Sequence, residues 1–121
     1  MQGAATGDKK ERYATQLVLI MDKKHFFIKL IAPRPTFAQD MTEDERKLMM
    51  THIAYWRDLT EKRISLVFGP VFDPAGNYGM AIIEVEDEAA AKKTLENDPT
   101  IIADQNFSFE IYPMRVGMER K

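Results

Sequence analysis

The order of the hydrophobic patterns along this chain constrains its fold more than any other feature. Four segments rich in aromatic and β-branched residues predict strands, at residues 25–31, 65–72, 78–85 and 107–114. Two segments with apolar residues at three-to-four spacing predict helices, at residues 42–62 and 88–96. The elements therefore follow one another in the order βαββαβ.

Turn and cap residues support these boundaries. Thr42 and Glu45 have the spacing of a capping box at the start of the first helix. Residues 73–77 have turn chemistry and predict a hairpin between the second and third strands. Pro99 ends the second helix, because the residue before a proline avoids helical angles. The order predicts an α+β protein with the ferredoxin-like fold, in which a four-stranded antiparallel sheet has its helices on one face.

Both faces of this predicted sheet are apolar. In the first strand Phe26 and Ile28 alternate with Phe27, and in the third strand Ile83 alternates with Ile82. A face wetted by water should be polar, and each large apolar side chain left exposed forgoes about 1.5–3 kcal/mol. We therefore expect a homodimer that forms through the open sheet face. The alternative is that the N-terminal residues fold across this face.

Composition excludes several classes of protein. The chain has 121 residues, a formal net charge of −2, two histidines and no cysteine. Nucleic acid and membrane surfaces are therefore not expected partners, and thiol catalysis and zinc thiolate sites are excluded. No metal site and no cofactor are expected, since no phosphate-binding loop or dinucleotide motif occurs. We predict a cytoplasmic protein with a flexible extension (residues 1–20), one domain (21–116) and a loose tail (117–121).

Four short motifs together resemble the YciI-like (YCII-related) family. In order, they are His52-Ile53-Ala54-Tyr55-Trp56, Phe68-Gly69-Pro70, Asp87-Glu88-Ala89 and Asn97-Asp98-Pro99. The resemblance covers roughly residues 25–113. It implies a dimeric α/β barrel related to muconolactone isomerases, with a His–Asp pair in a cleft. Most members have no assigned reaction, although one is a dehydrochlorinase that acts on a chlorinated aromatic compound.

His52 and Asp98 are the predicted catalytic pair. His52 lies on the apolar face of its helix, and histidine exchanges protons near neutral pH. The two predicted helices pack side by side, so Asp98 at the end of the second could contact the imidazole and fix its tautomer. A buried histidine with one ordinary partner, and an aspartate that only caps the turn at residues 100–102, remain the alternatives.

Five further residues are candidates for binding a small-molecule substrate. Arg34 lies between two prolines and could meet a carboxylate or phosphate, although a solvated loop arginine is the alternative. Tyr55 and Trp56 are adjacent, so only one of them can face a cavity. Gly69 permits close approach to a strand, and Pro70 suits a bulge or a sheet edge near a site, although a purely structural role is the alternative for both. His25, the second histidine, is expected to be exposed.

Two functions of different classes fit these residues. The first is a cofactor-independent acid–base enzyme, of isomerase, lyase or dehydrochlorinase type, that acts on a small cyclic or aromatic metabolite. The second is a non-catalytic protein that binds a small molecule or serves as an accessory subunit, because no second acid and no oxyanion hole are evident. A purely structural dimerisation module is a third alternative.

Overall fold

The computed structural model describes residues 24–120 and contains four strands and four helices in this range. The predicted extension at residues 1–20 lies outside the described residues. The elements in chain order are β1 (Lys24–Ile31), α1 (Phe37–Asp40), α2 (Glu43–Glu61), β2 (Ser65–Val71), β3 (Tyr78–Val85), α3 (Glu88–Glu96), α4 (Pro99–Ile102) and β4 (Ser108–Met114).

The four strands form one antiparallel sheet in the order β2-β3-β1-β4. Phe27 in the middle of β1 lies opposite Ile82 of β3 and Tyr112 of β4. A register shift between Ser65 and Val67 marks an irregularity in β2, which is an edge strand. With two long helices packed against it, this sheet confirms the predicted ferredoxin-like fold.

The long helix α2 begins where its capping box predicts. Thr42 accepts a hydrogen bond from the backbone N–H of Glu45, and the Glu45 carboxylate accepts one from the N–H of Thr42. These two bonds satisfy backbone donors that have no partner within the helix. The helix ends at Glu61, one residue before the predicted end.

Two short helices were not predicted. Residues 33–41 were interpreted as a connection because of their prolines, yet Phe37–Asp40 form a single helical turn. Phe37 is buried and packs edge-to-face on Phe107, with ring centroids 5.2 Å apart. The second is α4, which begins at Pro99 and has Asp98 as its N-cap. Proline is well suited to the first helical position, since its missing N–H needs no partner there.

The core lies between one face of the sheet and the two long helices. Its fully buried members are Phe26, Ile28, Trp56, Leu59, Ala81, Ile83, Ala91 and Leu95. On the other face, Val67 and Tyr112 are 47% and 48% exposed. His25 also lies on that face, but it is not exposed as expected. Its side chain is 17% exposed, and its Nε2 is 3.3 Å from a carboxylate oxygen of Glu84 on β3.

Among residues 24–120, no helix is both long enough and apolar enough to cross a membrane.

Candidate functional site

The site is built around Asp98, which is completely buried at the start of α4. The backbone of Asp98 is extended, and its side chain caps the N-terminus of the helix that begins at Pro99. The Oδ1 atom accepts hydrogen bonds from the backbone N–H and the hydroxyl of Thr100, at 2.8 and 2.7 Å. Asp98 is therefore a helix cap, as one of the alternatives predicted, but half of its carboxylate is left for other donors.

The helix α2 supplies those other donors. The Nδ1 atom of His52 lies 2.8 Å from Oδ2 and 3.1 Å from Oδ1 of Asp98. The indole Nε1–H of Trp56 donates to the same Oδ2. His52 and Trp56 are four residues apart and so lie on one face of the helix. The contact between imidazole and carboxylate that the sequence predicted is present.

Asp98 is held in its ionised form. Burial by itself raises the pKa of this carboxyl group, but the hydrogen bonds and charge of His52 and the hydrogen bonds of Thr100 outweigh burial and lower the pKa overall. An ionised carboxylate is only an acceptor, so the nitrogen of His52 that faces it carries a proton. In the neutral imidazole this leaves Nε2 with a free lone pair.

His52 also lines a cavity of about 390 Å³. This volume is within the usual range for small-molecule sites. The cavity lies between α2, the β2–β3 hairpin and the connection that contains α1. Trp56, Gly69 and Pro70 line it with His52, whereas Asp98 lies behind them. No residue within 24–120 is hydrogen-bonded to the Nε2 of His52.

The rest of the cavity wall is almost entirely apolar, and most of it was not predicted as part of a site. The aromatic members besides Trp56 are Phe37, Phe68, Phe72, Tyr78, Phe107 and Phe109. Several of them are ordinary strand residues in the sequence, and Phe37 falls in a segment interpreted as a loop. Only the aromatic content of the strand ends could have indicated them, and core packing produces the same signal.

Tyr55 does not line the cavity. Its hydroxyl donates to the backbone carbonyl of Thr94 on α3 at 2.6 Å, and its ring packs edge-on against Trp56. Burial raises the pKa of the Tyr55 phenol. Of the adjacent pair, Trp56 therefore faces the cavity and Tyr55 joins two helices behind it.

Arg34 does not line the cavity either, although its guanidinium carbon lies 5.3 Å from the ring centroid of Phe37, which does. Its guanidinium donates to both carboxylate oxygens of Glu45, at 2.8 and 2.9 Å, and to Asp40 at 2.7 Å. The hydrogen bonds from Arg34 and from the backbone of Thr42 lower the pKa of Glu45 to about 2. The prediction of a stiffly held guanidinium agrees with this geometry, but the anions that it meets belong to the chain itself.

Gly69 and Pro70 both border the cavity from β2. Pro70 is tolerated because β2 is an edge strand. A Cβ atom added at Gly69 would find no atom within 4 Å, so no neighbouring group of the described chain requires a glycine there. In residues 24–120, no group of three or more His, Asp or Glu side chains is placed to hold a metal ion.

These features define an α+β protein with a ferredoxin-like sheet and a histidine–aspartate pair at an apolar cavity. The model of the YCII-related domain matches residues 25–115, a range that holds the four described strands, except for the first residue of β1, and both members of the pair. The chain therefore belongs to the YCII-related family, as the four motifs indicated. No curated protein matches the sequence with significance.

Proposed function

We propose that this protein is a cofactor-independent acid–base catalyst that acts on a small ring-containing molecule. His52 is the proposed catalytic residue, and Asp98 positions it. One observation supports the proposal above all: Nδ1 of His52 is held by a buried carboxylate while the ring borders the cavity. In this arrangement Nδ1 of His52 donates to Asp98, and Nε2 is available to accept a proton from the bound molecule.

The proposed chemical step is proton transfer at Nε2 of His52. The lone pair of Nε2 takes a proton from an acidic C–H or O–H group of the bound molecule. The resulting imidazolium is stabilised by the Asp98 carboxylate, 2.8 Å from Nδ1. Such a positioned base contributes roughly 10²- to 10⁴-fold to a rate.

Two reaction types need no more than this step. In an isomerisation, Nε2 returns the proton to a different carbon, and a double bond moves. In an elimination, the electrons of the broken C–H bond form a double bond, and a halide leaves with the electrons of its own bond. Both reactions need only one base, and among the lining residues that the structure describes only His52 and Tyr78 have titratable side chains.

The small number of titratable side chains in the cavity wall also supports a second candidate function, the non-catalytic binding of small molecules. The described cavity wall has no Asp, Glu or Lys side chain to protonate a leaving group. In this alternative, His52 is a hydrogen-bonding partner for a ligand that is released unchanged.

Deuterium exchange tests the catalytic proposal without knowledge of the natural substrate. We suggest 2-tetralone and α-angelica lactone as probes, since both are neutral ring compounds with an acidic C–H group. Proton NMR in D₂O follows the loss of the C–H signal and, for the lactone, the shift of its double bond. We expect the wild-type protein to accelerate exchange of at least one probe, and His52→Ala to lose this acceleration.

The second histidine provides a matched control. His25 lies on the opposite face of the sheet, beside Glu84, so His25→Ala should retain the full rate. Equal rates for wild type and His52→Ala would contradict the proposal. No acceleration of either probe, despite measurable binding in the cavity, would favour the non-catalytic alternative.

We also propose that two chains pair through the open sheet face. Phe27 packs beside Tyr112 at the centre of this face, with ring centroids 6.2 Å apart, and Ile82 and Val67 continue the apolar surface. Val67 and Tyr112 remain about half exposed. Exposed apolar patches of this kind usually mark an interface, and a two-fold dimer is the commonest way to cover one.

The mass in solution tests this pairing. We expect a dimer for the wild type and a monomer for Val67→Asp, whose new charge would be buried in the interface. Met50→Asp is the control, since Met50 is 67% exposed on α2 and away from the sheet face. A wild-type monomer at micromolar concentration, or a dimeric Val67→Asp variant, would contradict the proposal.

A further inference from the structure

The cavity wall described above is rich in aromatic side chains and poor in charged ones. Seven of its wall residues have aromatic rings, namely Phe37, Trp56, Phe68, Phe72, Tyr78, Phe107 and Phe109. None of the lining residues in the described part of the chain is Lys, Arg, Asp or Glu. An anionic ligand therefore finds no counter-charge on the wall itself.

The cation beside Phe37, Arg34, is not available to a ligand. It lies on the connection that contributes Phe37 to the wall, but Glu45 binds its guanidinium through both oxygens and Asp40 binds it as well. One positive charge is thus paired with two negative charges. A ligand carboxylate would have to displace one of these two carboxylates, of which Glu45 is bidentate, to reach Arg34.

A second cation near these strands, Lys29, points away from the cavity. Its ammonium group lies 4.4 Å from the centroid of the Tyr78 ring. Lys29 alternates with the buried residues Ile28 and Leu30 of β1, so its side chain is on the open face of the sheet, and Lys29 does not line the cavity.

The catalytic pair adds no positive charge either. The Asp98 carboxylate is fully buried behind His52 and carries one negative charge. The pair has a net charge of −1 with a neutral imidazole and of zero with an imidazolium. An anion bound beside it would lose its hydration and gain no opposite net charge, which is strongly unfavourable.

We infer that the cavity selects uncharged aromatic or alicyclic ligands and rejects carboxylates and phosphates of the same shape. This inference rests on the proposed function for the identity of the site, and it adds the class of substrate. The natural ligand is then a neutral ring compound whose acidic proton, or whose hydrogen-bonding group, meets His52.

The single tryptophan of the chain reports directly on this cavity, because Trp56 lines it. We suggest 4-bromobenzamide and 4-bromobenzoate as probes, since they have nearly the same shape and differ in charge. Bromine quenches indole fluorescence on close contact, so titration gives a dissociation constant for each. We expect the benzamide to bind at least about a hundredfold more tightly than the benzoate near neutral pH.

A charge introduced at the mouth of the cavity should reverse this preference. Phe72 lines the cavity but is 77% exposed, so Phe72→Lys places an ammonium group there with little effect on the fold. We expect this variant to bind 4-bromobenzoate at least about tenfold more tightly than the wild type does. Met50→Lys, a change at a residue that is 67% exposed and does not line the cavity, should leave both affinities unchanged.

Equal or tighter binding of 4-bromobenzoate to the wild type would overturn the inference, as would the absence of quenching by either probe. These outcomes are distinct from a failure of the proposed catalysis. Deuterium exchange that does not depend on His52 would end the catalytic proposal, yet it would leave the preference for neutral probes intact.

Discussion

Replacement of Asp98 by alanine should be among the most destabilising single changes in this domain. The carboxylate accepts hydrogen bonds from His52, from Trp56 and twice from Thr100, and both Asp98 and Thr100 are completely buried. A buried donor left without a partner costs about 1–3 kcal/mol. Because some donors will gain water from the cavity, we expect a total loss of about 3–5 kcal/mol in the free energy of unfolding.

Asp87 provides a matched control for this change. It is also an aspartate at a helix N-cap, and its side chain accepts from the backbone N–H of Ala90 at 2.8 Å. It is exposed and has no His or Trp partner. Asp87→Ala should therefore cost only the cap, about 1 kcal/mol. The difference between the two variants isolates what the buried network adds to capping.

Urea unfolding followed by circular dichroism measures both losses. The urea concentration at the midpoint should fall much further for Asp98→Ala than for Asp87→Ala, while the slope of free energy against urea concentration stays similar. If Asp98→Ala does not fold, Asp98→Asn serves instead, since its amide oxygen can still accept from Thr100, and a loss of about 1–3 kcal/mol is expected. Losses that agree within about 0.5 kcal/mol for the two alanine variants would show that Asp98 is a helix cap and nothing more.

Three further predictions concern the surroundings of the site. Because hydrogen bonds hold the pKa of Asp98 below its ordinary value of about 3.9, its ionised form stabilises the fold above that pH and loses this effect as pH falls. Unfolding free energy should therefore drop more steeply between about pH 5 and pH 2 in wild type than in Asp98→Asn; parallel curves would refute this. Tyr55→Phe should cost about 1 kcal/mol in urea unfolding through the lost bond to Thr94, and an unchanged midpoint would contradict it. Gly76→Ala should lower the free energy of unfolding by about 1–3 kcal/mol, and the melting temperature with it, because φ is 143° at this position. Gly117→Ala should have almost no effect.

The sequence was sufficient for the fold because periodicity and caps agree along the whole domain. Strand alternation distinguished the two faces of the sheet, and the capping box at Thr42 placed the start of α2. The contact between His52 and Asp98 was also predictable. Helical spacing sets which way His52 faces, and Pro99 fixes where the second long helix must have ended.

The cavity was less predictable, because part of its wall comes from a connection without a periodic pattern and its strand residues have the same pattern as ordinary core residues. The short helix at Phe37 follows two prolines, and its burial depends on a distant partner, Phe107. Arg34 was a candidate for binding substrate since its guanidinium suits carboxylates. Its actual partners, Asp40 and Glu45, become neighbours only once the connection folds back onto the start of α2.

The tautomer of His52 tests the central claim most directly. Long-range proton–nitrogen NMR of the imidazole distinguishes the two nitrogens, and His25→Ala identifies the signals of the second histidine. In the neutral ring we predict a proton on Nδ1, held by Asp98, and a bare Nε2 whose shift changes when 4-bromobenzamide binds. A proton on Nε2 in the neutral ring, or a signal unaffected by the bound probe, would contradict a base that faces the cavity.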